Sequence, residues 1–160
     1  MFFTPFFKKI LKKGQIKIMR LIQTANSKVQ KVTKDNLVNL GTIDRKVICG
    51  DANAFCYNDE DTISINRIGY YKIDVTANVS AIADGDLGIT LKQNGTLSTT
   101  ALAVNNATAG NNYNLNFSKI IRVFPNTCCA KVNVPTHISI ENNGVNIKVN
   151  TINVSIVKVA

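Results

Sequence analysis

Few residues in this chain could do chemistry, and they are widely spaced. The single histidine, His137, stands between Thr136 and Ile138. A catalytic base needs a nucleophile and an orienting group beside it. His137 falls on the outward phase of its segment, where an ordinary surface residue is the simpler reading. The four cysteines are Cys49, Cys56 and the vicinal pair Cys128–Cys129. Structural zinc takes C-x2-C pairs or Cys/His clusters, and neither spacing here fits. Free, mostly buried thiols are expected, although a Cys49–Cys56 disulfide is geometrically conceivable. Carboxylates gather twice, in "NDED" (residues 58–61) and at Asp84 and Asp86. Hard oxygen ligands on loops can hold calcium, which makes Asp59, Asp61, Asp84 and Asp86 candidate cation ligands. Turn formation and loop solvation account for the same residues, and neither a metal nor a cofactor is expected. The chain lacks a P-loop, a G-x-S-x-G and an H-E-x-x-H. With no acid/base constellation, the sequence describes a binding or structural module and not an enzyme.

The frame for these residues is one domain. A chain of 160 residues with 45% hydrophobic content can bury one core. The net charge of +9 is unevenly spread. Eleven of the 19 Lys/Arg, but only Asp35 and Asp44 of the ten acidic residues, lie in residues 1–48. The remainder is neutral, so no nucleic acid is expected on the lobe. The division expected is a basic N-terminal arm, residues 1–36, and a β domain, residues 37–160. Basic arms meet acidic surfaces or simply solubilise.

Apolar alternation organises the β domain. In "RIGYYKIDVTANVSAI" (67–82) residues Tyr71, Ile73, Val75, Ala77, Val79 and Ala81 alternate with polar positions. "TISIN" (62–66) is a short strand before it. "LGITLKQNGTLSTTALAV" reads as a hairpin turning at Asn94-Gly95, because both positions tolerate positive φ. "YNLNFSKIIRVF" places Tyr113, Leu115, Phe117, Ile121 and Val123 on one face, and "KVNVPTHISI" places Val132, Val134, Ile138 and Ile140 inward. In the last segment Ile152, Val154 and Ile156 are in phase with one another but out of phase with Val149, which requires a bend or bulge between. Many short strands at short spacing, with no amphipathic helix after residue 36, mean an antiparallel sandwich or barrel.

The motifs "NLGTIDRKV", "TISINRIGYYKIDV", "LGITLKQNG", "VFPNTCC" and "NVSIVKV" together resemble the tumour-necrosis-factor-like jelly roll. That family includes the globular heads of complement collagens, and the version resembled is common in phage and bacterial genomes. Arg67 and Ile68 stand where a proline often precedes the glycine, and no collagen stalk precedes the lobe. The resemblance implies an all-β, two-sheet antiparallel jelly-roll sandwich and a homotrimer in which the long strand lies near the axis. Tyr70 and Tyr71, with Ile152, Val154, Ile156, Val157 and Val159 of the last strand, are the trimer-interface candidates. One of the two tyrosines must face away from its own core, since adjacent strand residues point to opposite faces.

By analogy the resemblance implies a phage virion structural protein, a head fibre or capsid decoration on the particle exterior that is assembled in the bacterial cytoplasm. Its partner would be the major capsid protein or another virion protein, reached through the arm. Arg20, Lys28, Lys31 and Lys34 are the anchoring candidates. The alternative is a lectin-like knob of a tail fibre or bacterial surface protein, with a host-surface glycan as partner. For residues 1–18 two readings stand: a short basic amphipathic helix capped by Thr4 and Pro5 and ended by Gly14, or a translated leader before a start at Met19.

Overall fold

Alternating apolar residues and well-placed turn signals give eleven strands and no helix among the described residues, which in this computed structural model are 19–124 and 135–160. The expectations for residues 1–18, for Val132 and Val134 and for Cys128–Cys129 lie outside them. The strands are β1 (Leu21–Asn26), β2 (Gln30–Val32), β3 (Thr42–Val47), β4 (Phe55–Asp59), β5 (Thr62–Ile65), β6 (Gly69–Ala81), β7 (Gly85–Gln93), β8 (Thr96–Ala107), β9 (Asn112–Val123), β10 (Thr136–Asn142) and β11 (Ile147–Lys158). They form two antiparallel sheets. One runs β3-β1-β11-β6-β9, with β2 pairing β11 beyond the end of β1, and the other runs β4-β5-β10-β7-β8. This is the expected jelly-roll sandwich.

The core lies between the sheets. Ile22, Ile73, Val75, Val79, Ile152, Val154 and Ile156 from the first sheet meet Leu87, Ile89, Leu91, Ile138 and Ile140 from the second, all buried. Phe55 and Tyr71 close one end of this interior edge to face, with ring centroids 6.1 Å apart. Phe117, expected in or near the core, is half-buried and packs against its margin.

Local sequence fixes two irregularities. Asn94 and Gly95 both have positive φ, +50° and +81°, as a two-residue hairpin turn demands. Asn150 is the extra residue of a bulge, since β11 pairs Val149 with Val79 and Thr151 with Asn78. The bulge restores the inward phase of Ile152, Val154 and Ile156, as the pattern required.

The arm boundary at residue 36 is corrected. β1 is an interior strand, bonded to β11 on one side and β3 on the other, and Leu21, Ile22 and Val32 are buried. Two short segments, "LIQTAN" and "QKV", are enough because each pairs with a strand more than a hundred residues later. The jelly roll therefore begins at β1.

Both ends of the described lobe meet at one pole of the sandwich. The Lys158 amide donates to the Arg20 carbonyl at 2.9 Å, and the Tyr70 amide to the Ala160 carbonyl at 2.9 Å. Asp51, in the connection from β3 to β4, ties this pole together. It accepts from Arg67 Nε at 2.8 Å and lies 3.4 Å from the Arg20 guanidinium.

Candidate interaction surfaces

Gly69 opens β6 with φ +149°, and an added Cβ there would meet the Ala160 carbonyl oxygen at 2.6 Å. Only glycine lets the last residue cross so closely. The two tyrosines that follow diverge. Tyr71 is fully buried and its hydroxyl donates to the Arg67 carbonyl at 2.8 Å. Burial raises its pKa, with Arg20 and Arg67 opposing. Tyr70 is 42% exposed and stacks edge-on to Phe124 at 5.8 Å. The Arg122 guanidinium lies 4.1 Å from the Phe124 ring centroid, within cation–π range.

The trimer-interface candidates therefore divide. Tyr71, Ile152, Val154 and Ile156 are corrected: their side chains fill the core between the two sheets and cannot face an axis. Their regular alternation made them conspicuous for the wrong reason. Tyr70, Val157 and Val159 keep accessible surface. The sequence reading missed Ile120, 58% exposed, Arg122 and Phe124. Ile120 and Arg122 face outward on β9 directly beside Lys72 and Tyr70 of β6. The signal was present in the doublet Ile120-Ile121, which obliges one member to face out, as in Tyr70-Tyr71.

Farther along the same sheet face the character changes. Asn78 donates to Asn114 Oδ1 at 2.8 Å, and Asn150 donates to Asn78 Oδ1 at 3.0 Å and Ser80 Oγ at 2.9 Å. Ser80 also bonds Asn112. The face thus runs from an aromatic, cationic patch at the pole of the chain ends to an amide ladder at the opposite pole.

Elsewhere the candidate chemistry resolves into structure. His137 is exposed and its Nδ1 lies 2.8 Å from Ser64 Oγ, a cross-strand pair on β10 and β5. Asp61 Oδ1 accepts from Thr62, Asp84 Oδ1 from the Ala109 amide, and Asp86 Oδ1 from Asn106, so three of the four candidate calcium ligands hold turns or strand partners. Asp59 is exposed at the end of β4. No group of three metal-ligating side chains occurs among the described residues. Cys49 is an exposed free thiol and Cys56 a half-buried one.

The anchoring candidates do not form one surface. Arg20 belongs to the pole of the chain ends, bound to Asp51. Lys31 sits on β2 beside Lys148, and the Lys34 amide donates to Asn146 Oδ1. With Lys28 in the β1–β2 connection, these lysines occupy the opposite half of the sandwich.

No protein-family model matches the chain, and no curated protein sequence matches it. Solved structures match by fold. A TNF of S. frugiperda, Eiger, superposes with a TM-score of 0.65 at 10% identity, covering 89% of this chain and 92% of its own. The globular domain of the zebrafish complement 1qA protein gives 0.58 at 8%, covering 85% and 94%. The vertex protein P5 of PRD1 gives 0.50 at 13%, covering 88% and 97%. Identities this low show the fold alone, and the fold is a TNF-like jelly roll.

Proposed function

We propose that the protein is a non-enzymatic virion structural protein, a homotrimeric head fibre or capsid decoration of a phage. The observation that carries this reading is the cluster of exposed Tyr70, Ile120 and Arg122 with half-buried Phe124 on the outer face of the β6–β9 pair. Tyr, Phe and Arg are enriched in interface cores, and closed cyclic symmetry is the common solution for a self-associating lobe. Tyr70, Val157 and Val159 supply axis-facing surface in that arrangement. A homotrimer is also what the sequence resemblance implies. The likeness in fold to a vertex protein of PRD1 supports the virion setting.

Sedimentation equilibrium at micromolar concentration tests assembly, with three times the 17.5 kDa chain mass expected and a monomer overturning it. Mass spectrometry of purified particles tests the setting. The second reading, a glycan-binding knob, draws on the ladder of Asn78, Asn112, Asn114 and Asn150, whose amides suit a hydroxyl-rich ligand. Absence from particles together with glycan-array binding by the isolated lobe would put it first.

A further inference from the structure

Charge is sorted between the two poles of the sandwich. At the pole of the chain ends stand Arg20, Lys46, Arg67 and Lys158, and the acidic side chain among them, Asp51, is held by both Arg20 and Arg67. The chain enters here from residues 1–18, which carry five lysines and no acidic residue. At the other pole Asp35, Asp59, Glu60, Asp61, Asp84 and Asp86 outnumber the lysines beside them.

We infer that the pole of the chain ends is a docking face for an acidic protein surface. This rests on the reading that the lobe is mounted on a larger assembly, and it names which end is mounted. Met19 and Ile68, 49% and 44% exposed, set apolar surface among the cations, and such a mixture suits a protein partner. Asp51 interrupts the basic patch, which would weaken a run of phosphate contacts on nucleic acid or lipid. Opposite charge at the two poles orients the lobe as it approaches, since complementary fields steer encounter. Lys28, Lys31 and Lys34 then face away from the partner.

The test is salt-dependent binding of the full chain to poly-L-glutamate, with phosphatidylglycerol vesicles and a single-stranded oligonucleotide as competing probes. Lys46→Glu/Lys158→Glu is expected to weaken polyglutamate binding by about tenfold, and Lys31→Glu/Lys34→Glu to leave it within about twofold. Lys46→Gln/Lys158→Gln, which removes both charges without reversing them, is expected to give an intermediate loss and guards against misfolding of the charge reversal. Equal losses at the two poles, or preference for vesicles or oligonucleotide over polyglutamate, would overturn the docking face. Absence of the protein from particles would remove the mounted reading but leave the comparison of poles intact.

Discussion

Tyr70 and Tyr71 are chain neighbours on opposite sides of one sheet: Tyr71 completes the core of the sandwich, and Tyr70 lies outside against Phe124. Their substitutions should separate folding from assembly. Tyr71→Phe loses the hydroxyl bond to Arg67 and should cost about 0.5–1.5 kcal/mol in urea unfolding. It should leave sedimentation unchanged. Tyr70→Ala should barely alter unfolding of the lobe but shift the assembly toward monomer. A stable trimer in the Tyr70 variant would remove this residue from the interface.

Phe55 is buried and set edge-on to Tyr71, so Phe55→Ala should cost about 3–5 kcal/mol. Phe117→Ala should cost clearly less, because that ring is half-buried at the margin of the core. Chemical denaturation of the pair decides the order, and equal losses would contradict it.

Gly41 and Gly50 share a left-handed backbone, φ +80° and +83°, but not their surroundings. A Cβ at Gly41 would lie 2.2 Å from the Ala25 carbonyl oxygen, and one at Gly50 would meet nothing within 4 Å. Gly50→Ala should cost about 1–2 kcal/mol for the backbone alone. Gly41→Ala adds overpacking against main chain, about 1–3 kcal/mol more. Asn39 fixes this corner, its Oδ1 accepting from the Gly41 amide at 2.8 Å and from Asn26 at 3.2 Å. Thermal melts of the two variants should therefore differ by several degrees.

Tyr57 gives an alkaline signature. Its hydroxyl donates within reach of the Gly41 and Glu60 carbonyls, at 2.7 and 3.0 Å. Burial, then the charges of Glu60 and Asp61, push its pKa up to about 12. A raised acid holds its proton more tightly in the fold, so its contribution is complete below the ordinary value of 10.0 and is lost as pH rises toward 12. Stability should fall across that window, and Tyr57→Phe should flatten the fall. The check is the urea midpoint followed from pH 8 to pH 12.

Much of the fold was legible in the sequence because the information was local. The alternation from Tyr71 to Ala81, the Asn94-Gly95 turn and the phase change across Asn150 each lie within a dozen residues. β1 and β2 were not legible. "LIQTAN" is too short to declare itself, and it becomes a strand by pairing with residues 152–157. The interaction surface was half legible. Doublets on half-buried strands announce an outward apolar residue, but that Ile120 and Tyr70 lie on adjacent strands follows only from register. The poles of charge are invisible in sequence, since Lys46, Arg67 and Lys158 come together only after the strands pair.

The position of β1 has a mechanical consequence. A load applied at Met19 along the strand, with resistance at the far pole, would not unzip the sheet one bond at a time. β1 is bonded on both flanks, to Val157–Ile152 of β11 and to Val47–Thr42 of β3, so the ladder on each side must shear together. A lobe tethered by its first strand would then resist drag through the geometry of its hydrogen bonds, with the tether leaving the fold along the direction in which the sheet is hardest to pull apart.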